Sequence, residues 1–562
     1  MLFIFALLLA LIPAVIGWGS GTLWVAGKLG RRSPYAYDPL EPIVGLVILT
    51  SVANLANFFS PISHALALWV VILGWALFLW RLTTLLKLLK PLWLGLGLIW
   101  LGVISTQAVL QAWHYDSGLY HIPAIRWLVD HKLPLGLANL HDRFGLNSAW
   151  FSISALMAQT VAPYTPNYTA IASEALFGMF GLAVLYALYR FLRDDRSLAT
   201  LFLLLAGFVG FTPLVKEGLS SPSTDHPVLL ITLLVMYVGL RGLTRRETDP
   251  YDTLLAFALS FYVITLKVSA VPLVLIPLAM FALGYSKGWR AGLREICPLT
   301  LAAAVLILGP WLARGIFLSG CLLYPVSATC FQALPWTVPR GSADSIASWI
   351  ASWARQPGLT PDQVLGNWRW FRPWVAQLTS STDFILPMSC LGVGLALIAV
   401  SWRQSRTFGH WPRVMLVFGV IAIGTAFWFQ TAPDLRFGVG WMWSAALLFL
   451  ALGFWAVAQR PKLTVPLRLV MILMLAGAAK SVADKGLSYV ERAGWPYREL
   501  LYAVPPMPTA ETVVQKTNQG VPIKVVQNSR CFWVEPLCTP YFRADLVVIG
   551  LSGARLEFHA GH

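Results

Sequence analysis

Runs of roughly 17 to 25 apolar residues recur along most of the chain, separated by short polar connections, and that length matches the hydrocarbon thickness of a bilayer. Unpaired backbone groups in lipid cost several kcal/mol each, so such runs must satisfy their hydrogen bonds internally and read as helices. The pattern predicts helices near residues 2–26, 42–59, 63–80, 91–110, 168–190, 197–214, 227–243, 252–266, 268–284, 296–318, 384–401, 414–430, 435–457 and 469–483, about fourteen spans. The short pair 252–266 and 268–284 reads either as two spans or as one re-entrant pair, and Trp150 to Val161 as a half-buried helix. The opening MLFIFALLLALIPAVIGWGSG has no basic flank and no clear cleavage site, so it is kept as a helix rather than a signal peptide.

Basic residues cluster in the short connections: Lys28 with Arg31 and Arg32, Arg81 to Lys90, Arg190 to Arg196, Arg241 to Arg246, Lys287 to Arg294, Arg403 to Arg413, and Arg460 to Arg468. Assigning all of them to the cytoplasm satisfies the positive-inside rule and puts every other connection, and both termini, on the far side. The exterior pieces are then Gln111 to Asn167, Val215 to His226, Ser319 to Asp383, and a tail from Asp484. The tail holds strand-like runs IKVVQ, CFWVE and LVVIG between Pro, Asn and Gly, which predict a small α/β or β-rich domain. The expected organisation is three parts: extra N-terminal spans over 1–90, a membrane core over 91–483 with exterior loops 111–167 and 319–383, and a C-terminal exterior domain over 484–562. The fold class is an all-α polytopic membrane bundle with that small appended domain.

Composition supports this reading. Of 562 residues, 57% are hydrophobic and 12% charged, with 26 Trp and a mean hydropathy of +0.68, far more apolar than a soluble domain. The net charge of +16 does not indicate nucleic acid, because the basic residues are scattered as topology signals instead of forming one patch with aromatics. Four of the six cysteines fall in exterior pieces as close pairs, Cys321 with Cys330 and Cys531 with Cys538. Both are disulfide candidates, which would fit an oxidising compartment such as a periplasm. Neither pair has the spacing of a zinc site.

The densest polar stretch, Trp113 to Phe151, contains His114, Asp116, His121, Asp130, His131, His141 and Asp142. A helix there would set Asp116, Tyr120 and Pro123 on neighbouring turns. A carboxylate so close to lipid is costly without a partner or a task, and Asp116 reads as a general base toward an acceptor hydroxyl, with His114, Tyr120 and His121 lining the substrate site. The competing reading is a set of interfacial residues at headgroup depth. VKEGLSSPSTDHP brings Lys216, Glu217, Asp225 and His226 into one connection, where they could equally serve to keep a short hairpin wet. Lys267, between two apolar runs, either snorkels or faces a lipid phosphate. Asp434 and Arg436 pair with each other or offer a guanidinium fork to phosphate oxygens. The long loop carries Trp349, Trp353, Arg355, Trp368, Arg369, Trp370, Arg372 and Trp374, suited to stacking on sugars or to an interfacial helix.

With HYDSGLYH at 114–121 and TAPDLRFG at 431–438, the layout resembles the GT-C superfamily of membrane glycosyltransferases. The chain also looks like an uncharacterised group of bacterial membrane proteins that share this loop and a cysteine-bearing tail. The GT-C resemblance implies a GT-C-like bundle and inverting sugar transfer from a polyprenyl-phosphate or diphosphate donor. Asp116 would stand where the family has its catalytic acid, and Arg436 and Lys267 would counter the leaving phosphate. The chain departs from the family pattern in two ways: three spans precede the presumed first core helix, and no Asp-x-Asp or Glu-x-Asp pair follows.

The expected function is therefore a glycosyltransferase in a bacterial inner membrane. Its partners are membrane lipid, a polyprenyl-phosphate sugar donor and a glycan or glycolipid acceptor on the periplasmic face. No metal site is assigned and no cofactor is fixed, with a divalent cation left open. No Walker or GxGxxG pattern is present. The alternatives are a transporter or flippase of a lipid-linked glycan, which would show mid-membrane charges, broken helices and symmetric halves, and a polysaccharide polymerase or ligase.

Overall fold

The computed structural model describes residues 1–561 apart from 30–37, 87–90, 111–113, 164, 246–248, 285–288, 494–505 and 551–554. Arg31, Arg32, Lys90, Gln111, Trp113, Arg246 and Lys287, named above, lie outside the described residues. Each of the fourteen expected segments is helical. Among the described residues, nine helices are long and apolar enough to cross a membrane: Leu2–Gly27, His64–Thr83, Thr165–Leu192, Asp225–Leu243, Ile296–Ser319, Thr382–Val400, Trp411–Thr431, Leu435–Ala458 and Val465–Ser488. The other five, Glu41–Ala56, Pro91–Ser105, Leu198–Phe211, Pro250–Leu266 and Val268–Gly284, are shorter. By the length and composition of these helices the chain is a membrane protein.

The helices that carry the core are those most enclosed by their neighbours. Thr165–Leu192, Asp225–Leu243 and Leu435–Ala458 are largely buried, whereas Ile296–Ser319 and Thr382–Val400 turn most of their surface outward. At the N-terminal edge, Leu2–Leu29 lies against Glu41–Ala56 and His64–Leu86. A Cβ on Gly19 would sit 1.7 Å from the Glu41 carbonyl oxygen, and one on Gly45 would sit 1.9 Å from that of Val15, so these two glycines allow backbone-to-backbone packing.

Two expectations change. Trp150–Ala158 is not half-buried: every residue of it is enclosed, between Glu41–Ala56, Ile122–Asp130 and Ile171–Leu192. Its sequence, WFSISALMA, has no polar face to present to water, and its hydroxyls are short enough to bond inside, as Ser152 Oγ does to Asn54 Oδ1 at 2.6 Å. Nor is the connection 215–226 a wet hairpin. It begins as the helix Pro213–Gly218 and then buries Ser220 through His226.

The tail also differs. The last helix runs Thr464–Ala493, so the expected boundary at 484 falls inside it. Beyond it, β1 (Thr512–Lys516) pairs antiparallel with β2 (Pro522–Val526), which pairs parallel with β3 (Cys538–Thr539). A second sheet joins β4 (Val547–Ile549) to β5 (Glu557–His559). IKVVQ and LVVIG supply β2 and β4. CFWVE is a turn instead, closed by the Cys531–Cys538 disulfide. The second cysteine pair, Cys321–Cys330, is also bonded.

These sheets share a core with the loop that follows the fourth helix. Trp127, Leu133, Leu137, Leu140 and Phe144 from the loop pack with Val521, Ile523, Leu546, Val548 and Phe558 from the tail. Backbone and side-chain bonds seal the contact: Phe532 N donates to Gly118 O at 2.9 Å, Leu135 N to Leu556 O at 2.9 Å, and Asn139 Nδ2 to Phe558 O at 3.0 Å. The tail thus clamps the segment that carries Asp116.

Candidate active site

Asp116 stands immediately before Ser117–His121, a single π-helical turn that continues into the helix Ile122–Asp130. Pro123 explains the wide turn. Its ring displaces the carbonyl four residues back and it offers no N–H, so the chain opens by one residue. Ser117 then meets the Ser221 hydroxyl from the buried 219–224 connection.

Three further segments bring charge to the same place. Asp434 caps the helix Leu435–Ala458, its Oδ1 accepting from Arg436 N at 3.1 Å. The turn before it is pinned by two indoles, Trp374 Nε1 donating to Pro433 O and Trp428 Nε1 to Asp434 O, at 2.6 and 2.7 Å. Asp225 is the first residue of Asp225–Leu243. Lys267 sits where Pro250–Leu266 ends and the chain becomes extended before the 3-10 turn Val268–Val274.

Arg436 is the hub of the cluster. Its Nη1 donates to Asp116 Oδ2 at 2.8 Å and lies 3.9 Å from Asp225 Oδ2, while its Nε reaches Asp434 Oδ2 at 3.2 Å. Lys267 bonds Asp225 Oδ1 from the other side. The Phe437 ring lies beneath both cations, 3.6 Å from Lys267 Nζ and 5.1 Å from Arg436 Cζ, an arrangement that stabilises them where little water remains. Three carboxylates, Asp116, Asp225 and Asp434, therefore share two cations, and the group is one negative charge in excess.

Burial pushes the Asp116 carboxyl up, but Arg436, with His121 and His114 behind it, outweighs burial and holds it down at about 2. His121 is enclosed and pushed down to about 3 by that burial, so its ring is neutral at physiological pH. Its Nδ1 has no partner among the described residues. His114 stacks on it with ring centroids 6.0 Å apart, and Tyr120 and Phe151 flank it at 4.3 and 5.3 Å. Burial also pushes the Tyr120 phenol upward, so it remains a neutral donor.

The structure thus joins Asp116, His114, Tyr120, His121, Asp225, Lys267, Asp434 and Arg436. Other candidates lie elsewhere. Lys216 bonds Ser481 Oγ at 3.2 Å and Glu217 faces Lys485 at 3.5 Å, both toward the last helix. His226 is fully enclosed against Phe177. Asp130 pairs with Arg126, and His141 pairs with Asp142 near the tail. Of the long-loop aromatics, Trp374 reaches the site turn, while Trp349, Trp353 and Trp368 are exposed. Sequence reasoning missed Ser117, Ser221 and Phe437. Phe437 had a signal, since it directly follows Arg436; the serines had none. Among the described residues, no group of three His, Cys, Asp or Glu is placed to hold a metal ion.

A family model described as a domain of unknown function (DUF8201) matches residues 1–443, which takes in all the residues of this cluster. No curated protein and no solved structure matches the chain.

Proposed function

Because the chain belongs to the DUF8201 family, whose function is unknown, its activity has to be argued from its own site, and we propose that it is a GT-C-like glycosyltransferase with about fourteen spans. It would act on the periplasmic face of a bacterial inner membrane, moving a sugar from a polyprenyl-phosphate-linked donor to a glycan or glycolipid. The observation that carries this reading is Arg436, a single guanidinium shared by Asp116 and Asp225 at the end of the bundle that bears both disulfides.

The arrangement supports a definite sequence of events. With its carboxyl held at about 2, Asp116 is a weak base while Arg436 grips it. A lipid-linked phosphate entering beside Lys267 draws the Arg436 fork to its oxygens and releases the carboxylate. Asp116 then takes the proton of the acceptor hydroxyl as that oxygen attacks the anomeric carbon. The bond from that carbon to the phosphate oxygen breaks, and Arg436 and Lys267 balance the charge of the departing polyprenyl phosphate.

The alternative of lipid-glycan transport draws support from one observation, the helix broken at Lys267, since broken helices with charge at the break mark transporter sites. Protein in lipid nanodiscs, offered a panel of polyprenyl-phosphate sugars, separates the two readings. Release of polyprenyl phosphate that disappears in Asp116→Asn supports transfer. No release by folded wild type, with glycan movement across reconstituted vesicles and no bond cleavage, would replace it with transport.

A further inference from the structure

Behind the carboxylate cluster lies a small cavity of about 20 Å³, lined by Arg143, Asn147, Ser148 and Arg314 and walled by Trp127 and Phe151. That volume admits one or two waters or one small ion, not a sugar ring. Phe151 is shared with the carboxylate cluster, because its other side faces His121 and Tyr120. Ser148 Oγ donates to Leu266 O at 2.9 Å, which ties the cavity wall to the residue before Lys267.

Neither guanidinium has an ion pair among the described residues; Asp142, next to Arg143 in the chain, turns its Oδ1 to His141 Nδ1 and to the backbone N–H of Arg143. No carboxylate among the described residues lies within ion-pairing distance of Arg143 or Arg314, whereas Asp116, Asp225, Asp252 and Asp434 are each paired. Arg314 is 7% exposed and sits in an apolar helix. Among the described residues its side chain makes one hydrogen bond, from Nη1 to Asn57 Oδ1 at 2.7 Å. The Asn57 amide is oriented for that bond by donating its Nδ2 to His131 O at 3.0 Å and Leu128 O at 3.3 Å. A neutral amide oxygen leaves the positive charge uncompensated, and a buried uncompensated charge is costly. Asn147 is held with φ at +50°, its Nδ2 donating to Trp311 O at 2.8 Å, and its buried Oδ1 has no partner among the described residues. The cavity therefore presents two cationic forks and one unused acceptor.

We propose that this cavity is a phosphate site, in which Arg143 and Arg314 hold the oxygens of one phosphate group. Asn147 Oδ1 accepts from a protonated oxygen of the same group. Planar guanidiniums bind such oxygens bidentately, and each such charge-assisted contact restores what burial removed from Arg314. The site is distinct from the Arg436 and Lys267 cluster, and the inference stands whether or not the protein transfers sugar.

The test reads binding, not turnover. Wild type, Arg143→Gln and Arg314→Gln are placed in nanodiscs of neutral lipid, and their thermal unfolding is followed against inorganic phosphate and, separately, against a short-chain prenyl phosphate in the disc. Wild type is expected to gain a saturable rise in Tm, with apparent affinity lowered about tenfold or more in each variant. Protection by inorganic phosphate identifies a free ion as the ligand, and protection by the prenyl phosphate alone identifies a lipid headgroup. Arg143 is half-buried and without an ion pair, so its variant reports even if Arg314→Gln fails to fold. No saturable protection of wild type by either ligand, or protection undiminished in both folded variants, would overturn the proposal.

Discussion

The helices Asp225–Leu243 and Pro250–Leu266 carry an ionic cluster at each end, and the two clusters are built differently. At one end Asp225 and Lys267 join Asp116, Asp434 and Arg436. At the other, about 24 Å away by helical rise, Arg241 bonds Asp38 Oδ2 at 2.9 Å and Asp252 Oδ1 at 2.7 Å, and Arg245 takes the second oxygen of Asp252 at 2.9 Å. Asp252 has both oxygens bound and 1% of its side chain exposed. Asp116 has one oxygen bound and 15% exposed, facing an arginine that is itself 28% exposed. The Asp252 arrangement is a closed clamp between two helices and the turn that precedes a third, Glu41–Ala56. The Asp116 arrangement is open: it has unused acceptor capacity and water at its edge, which is what a reacting group needs and a structural pair does not.

The sharpest way to break this contrast is to compare activity with stability in matched variants. Asp116→Asn should lower release of polyprenyl phosphate by about 10²–10⁴-fold, the range for loss of a general base, with the fold intact. Transfer at the wild-type rate would show that the open cluster is no more catalytic than the clamp. Arg241→Met should do the converse. It leaves Asp38 and Asp252 buried without their shared cation, at a cost on the order of 3–5 kcal/mol, while the molecules that remain folded keep their activity. Denaturant titration in nanodiscs measures the first and activity per folded molecule the second.

How much of this could be read beforehand differs between the two ends. The apolar runs specified every long helix, because lipid permits few backbone solutions for such runs. The open cluster was legible too, since Asp116, Asp225, Lys267 and Arg436 each interrupt apolar sequence where charge is costly. The clamp was not recognised. Arg241 was counted as a topology signal, and Asp38 and Asp252 look like ordinary helix-end acids until the fold stacks them. The tail was read least well, because CFWVE has strand composition and yet its first residue is bonded to Cys538. A disulfide with a short loop overrides local preference. Arg143 and Arg314 went unremarked because they lie far apart in the chain and only the fold brings both to the lining of one cavity.

A third prediction separates the tail from the bundle. Replacing Cys531 and Cys538 with Ser should destabilise the tail by about 2–3 kcal/mol, the expectation for closing a loop this short. Because Phe532 N bonds Gly118 O beside Asp116, loss of the disulfide should also raise hydrogen exchange across 114–121 while leaving exchange at Arg241 and Asp252 unchanged. Equal protection of 114–121 with and without the disulfide would mean that the tail does not brace the open cluster.

The smallest expected effect is on acid stability, and its sign follows from the Asp116 carboxyl. Burial raises that carboxyl, but Arg436 and the two histidines outweigh it and bring the folded value to about 2, from an ordinary value of 3.8. A depressed carboxylate stabilises the fold above the unfolded value and loses that contribution as pH falls through the folded one. The difference in unfolding free energy between wild type and Asp116→Asn should therefore be flat from pH 7 to about 4 and close toward pH 2. Its upper bound is about 2 kcal/mol. A gap that instead opens or closes between pH 6 and 7 would mean that Arg436 is not gripping Asp116 in the resting protein. The release of that grip by an incoming phosphate would then be unnecessary, and Asp116 would already be a competent base.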